Sequence, residues 1–189
     1  MVWPPHPCIV MSSSHHSQVI ATLHRELNIP ADYAEKTRLP LYEEVALSEL
    51  VVAQLDDSGR PLVLTKRAAE SLLAMCAAAR SESVELLPFS GFRSYLYQRG
   101  LLAAKLKKGI LIEDILKVLA APGYSEHHTG EAVDITTTQC PQAEEIFETT
   151  IAYRWLTAHA KTFGFSESFP RNNPHNLVYE PWHWRYSPT

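Results

Sequence analysis

The stretch from Tyr124 to Asp134 combines two histidines, two glutamates and an aspartate with the signals of a loop that runs into a strand. A proline and a glycine precede it, as is typical of a loop. Val133 and Ile135 flank Asp134, and β-branched apolar residues on both sides of a carboxylate predict a strand. Gly130 allows the chain to turn between loop and strand. The fold must therefore bring a loop histidine and a strand aspartate together.

The polar side chains of this stretch are of the kinds that bind metal ions. From the residues alone, the candidates are His127 or His128, Glu126 or Glu131, and Asp134. Imidazole and carboxylate groups both bind zinc, and a catalytic zinc has about three protein ligands and one open position for water. A third ligand must therefore come from another part of the chain.

The segment Glu180-Pro181-Trp182-His183-Trp184 supplies the candidate third ligand, His183. Glu180 is the candidate general base, which would take a proton from water and pass it to a leaving amine. Pro181 disfavours a helix here, so we expect an extended segment that places the carboxylate beside the metal. Taken singly, each residue has a simpler interpretation, such as a surface histidine, a turn aspartate or a core tryptophan. Their combination favours a zinc site.

Composition and charge exclude several classes of protein. The 189 residues, 46% of them hydrophobic and 20% charged, are typical of one soluble domain, which we place at residues 16–189 after a flexible Pro-, Ser- and His-rich segment at 1–15. The net charge of -4 gives no reason to expect binding to nucleic acid or to a membrane surface. No apolar run approaches the roughly 18–20 residues of a membrane span.

The chain ends and the cysteines bear on location. We find no recognisable secretory signal, and we therefore expect a cytoplasmic protein. If a leader is missing from this sequence, the expected location is the periplasm or cell envelope. Either Met1 or Met11 is the expected start residue. Three cysteines without paired spacing, Cys8, Cys76 and Cys140, favour free thiols in a reducing compartment.

Hydrophobic periodicity and turn signals predict an α+β fold, in which N-terminal helices pack on a small, mostly antiparallel sheet that carries the zinc site. The predicted helices cover residues 17–27, 65–80, 95–108, 113–119 and 151–163. The predicted strands cover residues 47–55, 62–64, 84–88, 133–135, 177–179 and 183–186.

Three sequence blocks together resemble the VanY-type D-alanyl-D-alanine carboxypeptidases, within the wider group that contains lysostaphin and the hedgehog zinc domain. The blocks are Ser90-Gly91-Phe92-Arg93-Ser94 with Gln98, the Ser-x-His-x-x-Gly-x-Ala-x-Asp pattern from Ser125 to Asp134, and Glu180 to Trp184. They occur in the family's order, and the resemblance covers roughly residues 50–186. Phe92 stands where the family often has tyrosine, a mild departure.

The resemblance implies a role for each site residue. It selects His127 over His128 and implies that His127, Asp134 and His183 bind Zn²⁺ with Glu180 as the base. It further implies that Arg93 grips the substrate's terminal carboxylate and that Gln98 and Ser125 make accessory substrate contacts. Guanidinium suits this role, since it binds a carboxylate through two parallel charge-assisted hydrogen bonds.

The implied activity is a zinc carboxypeptidase that removes the C-terminal D-alanine from peptidoglycan stem peptides. Both D,D-cleavage of a pentapeptide and L,D-cleavage of a tetrapeptide occur in such proteins. A chain without a leader would meet recycled wall fragments, which favours L,D-cleavage. Two alternatives stay open: an endopeptidase of the phage-lysin type, against which Arg93 and Gln98 argue, and a non-catalytic zinc-binding module, against which Glu180 argues.

Overall fold

The computed structural model describes residues 13–56, 58–138 and 140–188, with side chains described from His16 onward. The expected flexible segment at 1–15 lies outside this part of the chain, except for residues 13–15, which already belong to the first helix. That helix therefore begins four residues before the predicted Ser17.

Six α-helices and six strands make up the regular structure of the described residues, joined by several short 3-10 turns. The helices are α1 (Ser13–Leu27), α2 (Tyr33–Thr37), α3 (Lys66–Ser81), α4 (Tyr95–Leu106), α5 (Ile112–Val118) and α6 (Ile151–His159). The strands are β1 (Leu50–Leu55), β2 (Pro61–Thr65), β3 (Leu87–Ser90), β4 (Ala132–Thr136), β5 (Phe165–Glu167) and β6 (His183–Tyr186).

All strand pairs are antiparallel, so the predicted α+β class with an antiparallel sheet is confirmed. β1 and β2 form a two-stranded hairpin, and the other four strands form a sheet in the order β3-β4-β6-β5. β4 lies inside this sheet and all five of its residues are buried. A strand buried on both faces reads as a continuous apolar run, as the sequence around Asp134 does.

Some predicted elements differ from the structure in position or in kind. The strand predicted at 84–88 begins only at Leu87, and the one predicted at 177–179 does not form. The strand predicted from Leu47 begins at Leu50, after a 3-10 turn. The last helix changes to a 3-10 turn at Ala160, and Gly164 ends it with a positive φ of 75°.

The main hydrophobic core lies between α3, α6 and the sheet. It includes the fully buried Leu72 and Met75 of α3, Leu156 of α6 and Ile135 of β4. A second cluster joins the ends of α1, α4 and α5, with Leu102 and Ile115 at its centre. The two cores support the sheet and the loop that precedes β4. Among the described helices, none is long and apolar enough to cross a membrane.

Candidate metal centre

The sheet brings together the loop histidine, the strand aspartate and the C-terminal histidine. Asp134 of β4 lies directly opposite His183 of β6 in the antiparallel register. His127 belongs to a 3-10 turn, Glu126–Thr129, that immediately precedes β4. At the end of that turn Gly130 has a positive φ of 69°, which a glycine adopts readily. The chain can therefore reverse and place His127 over Asp134.

The donor atoms of these three side chains are spaced as the ligands of one metal ion would be. His127 Nε2 lies 3.3 Å from Asp134 Oδ1, and His183 Nδ1 lies 3.1 Å from the same oxygen. Tetrahedral zinc with bonds of about 2.0–2.1 Å needs ligand atoms roughly 3.3 Å apart. All three residues are buried, and no second group of three such side chains occurs in the described part of the chain. The residues present thus fit zinc.

Hydrogen bonds to the far sides of the two rings determine which nitrogen faces the metal position. His127 Nδ1 donates to the carbonyl oxygen of Gly91 at 2.7 Å, which leaves Nε2 free toward Asp134. His183 is turned the other way, because its Nε2 lies 2.9 Å from Oε2 of Glu126. Its Nδ1 is the atom that faces Asp134. Such outer contacts fix the tautomer of ligand histidines.

His128, the neighbour that residue-based reasoning could not separate from His127, has both ring nitrogens engaged by the backbone. Its Nδ1 donates to the carbonyl of Arg93 at 2.6 Å, and its Nε2 accepts the N–H of Gly123 at 3.0 Å. It is fully buried, and burial lowers its pKa to about 4. Neither nitrogen is available to a metal, so His128 is a structural residue that joins the loop before β4 to the turn that contains Arg93.

Glu180 lies beside the three clustered residues in a largely apolar setting. Its Oε2 is 3.9 Å from His183 Nδ1, and its side chain is 11% exposed. Burial raises the pKa of Glu180 to about 7, although His183 works in the opposite direction. The turn between Glu180 and His183 is fixed by a backbone hydrogen bond of 3.0 Å, from the N–H of His183 to the carbonyl of Glu180. Glu180 is thus close enough to share a water with the metal position.

Charges of the metal-free centre are balanced by close pairing. Burial works against protonation of His183, but its hydrogen bonds to Asp134 and Glu126 raise its pKa to about 10. Burial lowers the pKa of His127 to about 4, and the nearby Arg93 contributes. Despite burial, the pKa of Asp134 is held well below its usual value by His127 and Arg93. Without metal, one imidazolium therefore lies between two carboxylates.

The three expected substrate-binding residues line the same small cavity, of about 120 Å³, as the metal-ligand candidates. Arg93 Nη2 is hydrogen-bonded to Asp134 Oδ2, and Ser90 Oγ accepts from the same guanidinium at 2.8 and 3.0 Å. Gln98 is buried; its Nε2 donates to the carbonyl of Ala120 at 2.8 Å, whereas its Oε1 has no partner among the described residues. Ser125 is also buried. Apolar walls include Val118, Leu119, Phe169, Leu177 and Trp182.

Sequence reasoning missed several residues around the centre. Glu126 was considered only as a metal ligand, yet it lies behind His183 and not at the metal position. Phe169 packs its ring 4.9 Å from that of His183, centroid to centroid. Tyr42 and Arg185 contact Glu126 from segments far apart in the chain. The single available signal was the position of Glu126 next to His127; nothing in the sequence marked the others.

Known proteins share this architecture. The VanY family model, described as D-alanyl-D-alanine carboxypeptidase, matches residues 61–189, more than half of the chain. YodJ of Bacillus subtilis (strain 168), an inferred carboxypeptidase, is 30% identical over 176 residues, which are 89% of this chain and 59% of that protein. The chain thus spans less than two thirds of that relative's length.

Two solved structures extend the comparison to the fold. The LdcB LD-carboxypeptidase superposes with a TM-score of 0.65 at 33% identity, over 77% of this chain and 69% of that one. A mutant of the D,D-pentapeptidase VanY from a VanB-type resistance cassette, in complex with Zn(II), gives a TM-score of 0.57 at 27% identity, over 76% and 82%. With the family match and the site geometry, these likenesses confirm the resemblance: the chain belongs to the VanY family of D-alanyl-D-alanine carboxypeptidases.

Proposed function

We propose that this protein is a zinc carboxypeptidase that removes the terminal D-alanine from peptidoglycan stem peptides. The observation that carries the proposal is the spacing of His127 Nε2, Asp134 Oδ1 and His183 Nδ1, with Glu180 beside them and Arg93 in the same cavity. The family match and the Zn(II) complex of the similar D,D-pentapeptidase support it.

The three clustered residues would hold the zinc, with one coordination position open. When bound, zinc supplies Lewis-acid polarisation of a carbonyl oxygen and lowers the pKa of a water. Its charge would also stabilise the ionised form of Glu180, whose pKa burial raises when metal is absent.

Glu180 carries the proton transfers in this mechanism. As a carboxylate it takes a proton from the attacking water, and as an acid it returns that proton to the nitrogen of the departing D-alanine. Its Oε2 lies 3.9 Å from His183 Nδ1, so the carboxylate is a neighbour of the ligand candidates without being one of them. Burial among apolar walls keeps the proton from escaping to solvent.

Arg93 accounts for the choice of a chain end, and Gln98 lies in the same cavity. Arg93 has Nε and Nη2 on Ser90 and a further contact to Asp134. A substrate carboxylate would bind to this guanidinium through charge-assisted hydrogen bonds. Gln98 Oε1, buried and unpartnered among the described residues, would accept an N–H of the substrate. Of the two residues, Arg93 selects a free C-terminus, and Gln98 would position the peptide beside it.

The experiment measures release of D-alanine by mass spectrometry from a free tetrapeptide and a free pentapeptide stem. We expect D-alanine to be released from at least one of the two peptides, and the peptide that is cut faster assigns L,D- or D,D-specificity. A chelator should abolish release and added zinc should restore it. Glu180→Ala should keep its zinc and His183→Ala should lose it, and neither should turn over substrate.

Two controls separate the alternatives. Amidation of the substrate C-terminus should stop a carboxypeptidase but not an endopeptidase. Protein that binds zinc but cuts neither peptide would instead be a zinc-binding module. Chelator-resistant hydrolysis, or hydrolysis by Glu180→Ala at the wild-type rate, would contradict the proposed mechanism.

A further inference from the structure

Glu126 contacts the side of His183 that faces away from the metal position. Its Oε2 accepts a hydrogen bond from His183 Nε2 at 2.9 Å, and both side chains are buried. The other ring nitrogen, Nδ1, lies 3.1 Å from Asp134 Oδ1. The imidazole is therefore held at both ends, because rotation of the ring by half a turn would place ring carbons where the two nitrogens lie and would break both hydrogen bonds. Of the two carboxylates, that of Asp134 belongs to the three metal-ligand candidates, whereas that of Glu126, at Nε2, does not.

Glu126 is itself held by further side chains, namely those of Tyr42, Arg185 and Ser168. The hydroxyl of Tyr42 donates to Oε1 at 3.2 Å, and Arg185 Nη1 donates to the same oxygen at 3.3 Å. Arg185 Nη1 also contacts the Tyr42 hydroxyl at 3.1 Å, and its guanidinium carbon lies 5.0 Å from the centre of the Tyr42 ring. One carboxylate oxygen is thus occupied by this cluster, so the other is aimed at His183.

We propose that Glu126 is the positioning residue that holds His183 with its proton on Nε2 and its Nδ1 directed at zinc; the inference rests on the proposed function. A carboxylate behind a ligand imidazole fixes the ring and makes it a stronger ligand, and its loss lowers metal affinity by about 10- to 100-fold. Glu126 is not one of the three clustered ligand candidates, and its contact with His183 is on the side away from the metal position, so its effect on zinc is exerted through His183.

The competing explanation is that Glu126 is only the ion-pair partner of Arg185. The chain offers a matched control for this, because Arg185 has a second carboxylate partner: its Nη2 lies 3.7 Å from Oε2 of Glu131. Glu131 lies at the partly exposed rim of the cluster and does not contact His183. Glu131→Gln and Glu126→Gln make the same chemical change on the two partners of one arginine.

The experiment compares zinc affinity, by competition with a chromophoric chelator, in wild type, Glu126→Gln and Glu131→Gln. We expect Glu126→Gln to bind zinc about 10- to 100-fold more weakly, and Glu131→Gln to change by less than about 5-fold, as for an exposed ion pair. The visible absorption spectrum of the Co²⁺-substituted protein should shift in Glu126→Gln alone, because a loss of general stability would not alter the ligand field.

A second variant keeps the test independent of any folding defect in Glu126→Gln. Tyr42→Phe removes one hydrogen bond to Glu126 but leaves both charges, so its zinc affinity should fall between those of wild type and Glu126→Gln. Equal affinities and identical cobalt spectra in wild type and Glu126→Gln would overturn the inference alone. A wild-type protein that binds no zinc would overturn the proposed function as well.

Discussion

At the scale of single residues, Glu180 is a carboxyl group whose burial opposes its ionisation. Its pKa is raised from an ordinary 4.5 to about 7 in the folded, metal-free protein. The folded state therefore holds the proton more tightly than the unfolded state. This contribution to stability is fully present below pH 4.5 and is lost as the pH rises toward 7.

The first prediction compares wild type with Glu180→Gln in the presence of a chelator. Glutamine does not titrate, so the free energy of unfolding of the variant, relative to wild type, should rise by up to about 1.4 kcal/mol per pH unit between pH 4.5 and 7. Denaturant unfolding at several pH values measures the difference. A difference that stays constant across this range would mean that Glu180 titrates normally in the fold.

The second prediction concerns Arg93→Lys, which keeps the charge but loses the planar fork. We expect kcat/KM on a free-carboxylate peptide to fall by about 10- to 100-fold, as for a lost hydrogen bond between charged groups. Because Arg93 also contacts Asp134, zinc content must be measured in the same samples and should be unchanged.

Substrate amidation supplies the control for Arg93. Wild type should strongly prefer the free carboxylate over the C-terminal amide, and Arg93→Lys should lose much of that preference, since the two changes remove the same contact. If the variant discriminated between the two peptides as well as wild type does, Arg93 would not be the carboxylate anchor.

At the scale of structural elements, Gly91 links the hairpin to the site. A β-carbon at this position would overlap the carbonyl oxygen of Val63 on β2, where the N–H of Phe92 also donates at 2.7 Å. The carbonyl of Gly91 in turn accepts the hydrogen bond from His127. Close packing of β2 against this turn thus orients a metal-ligand candidate.

The third prediction is that Gly91→Ala lowers both stability and zinc affinity. Steric overlap of this kind is expected to destabilise the fold by about 1–3 kcal/mol, and displacement of the Gly91 carbonyl should weaken zinc binding. Gly100→Ala is the control, because nothing lies within 4 Å of its added carbon inside α4. It should stabilise by roughly 0.5–1 kcal/mol. Equal effects of the two substitutions in denaturant unfolding and zinc titration would contradict the packing argument.

Elements with strong local signals were predictable, and those defined by distant partners were not. The helix at 65–80 and the strand around Asp134 follow from periodicity and β-branched residues, and both are found within a residue or two. The apolar run at 84–88 does not show where pairing with β4 begins. That point depends on the strand register, in which Leu87 pairs with Thr136. Residues 177–179 look like a strand, but Val178 donates only to Lys117 of α5.

The same distinction holds for the site. The metal-ligand candidates lie in short motifs that a sequence reader can recognise, whereas the surroundings of His183 come from segments spread over the chain. Tyr42 and Arg185 are 143 positions apart, yet both contact Glu126. His127 and His128 are adjacent in sequence, and only the backbone groups around each ring separate a ligand candidate from a structural histidine.

At the scale of the whole molecule, three distant segments converge on one buried set of charges. In the metal-free protein Asp134, His183, Glu126 and Arg93 are paired with one another. Zinc would bind the folded state and not the unfolded one. Its binding free energy would therefore add to the free energy of unfolding.

The fourth prediction is that zinc raises the free energy of unfolding by about 2.7 kcal/mol at a free concentration 100 times its Kd. Thermal unfolding with zinc and with a chelator measures the effect. His183→Ala is the control and should show a much smaller zinc-dependent increase. A wild-type unfolding temperature that did not respond to zinc would show that the ion does not bind the folded site.

The most direct test of the account is anomalous diffraction at the zinc edge from crystals of zinc-loaded protein. We predict one peak per chain, about 2.0–2.2 Å from His127 Nε2, an oxygen of Asp134 and His183 Nδ1, with Glu180 near it but not bound to it. A peak at His128 or Glu131, or coordination through His183 Nε2, would contradict the account.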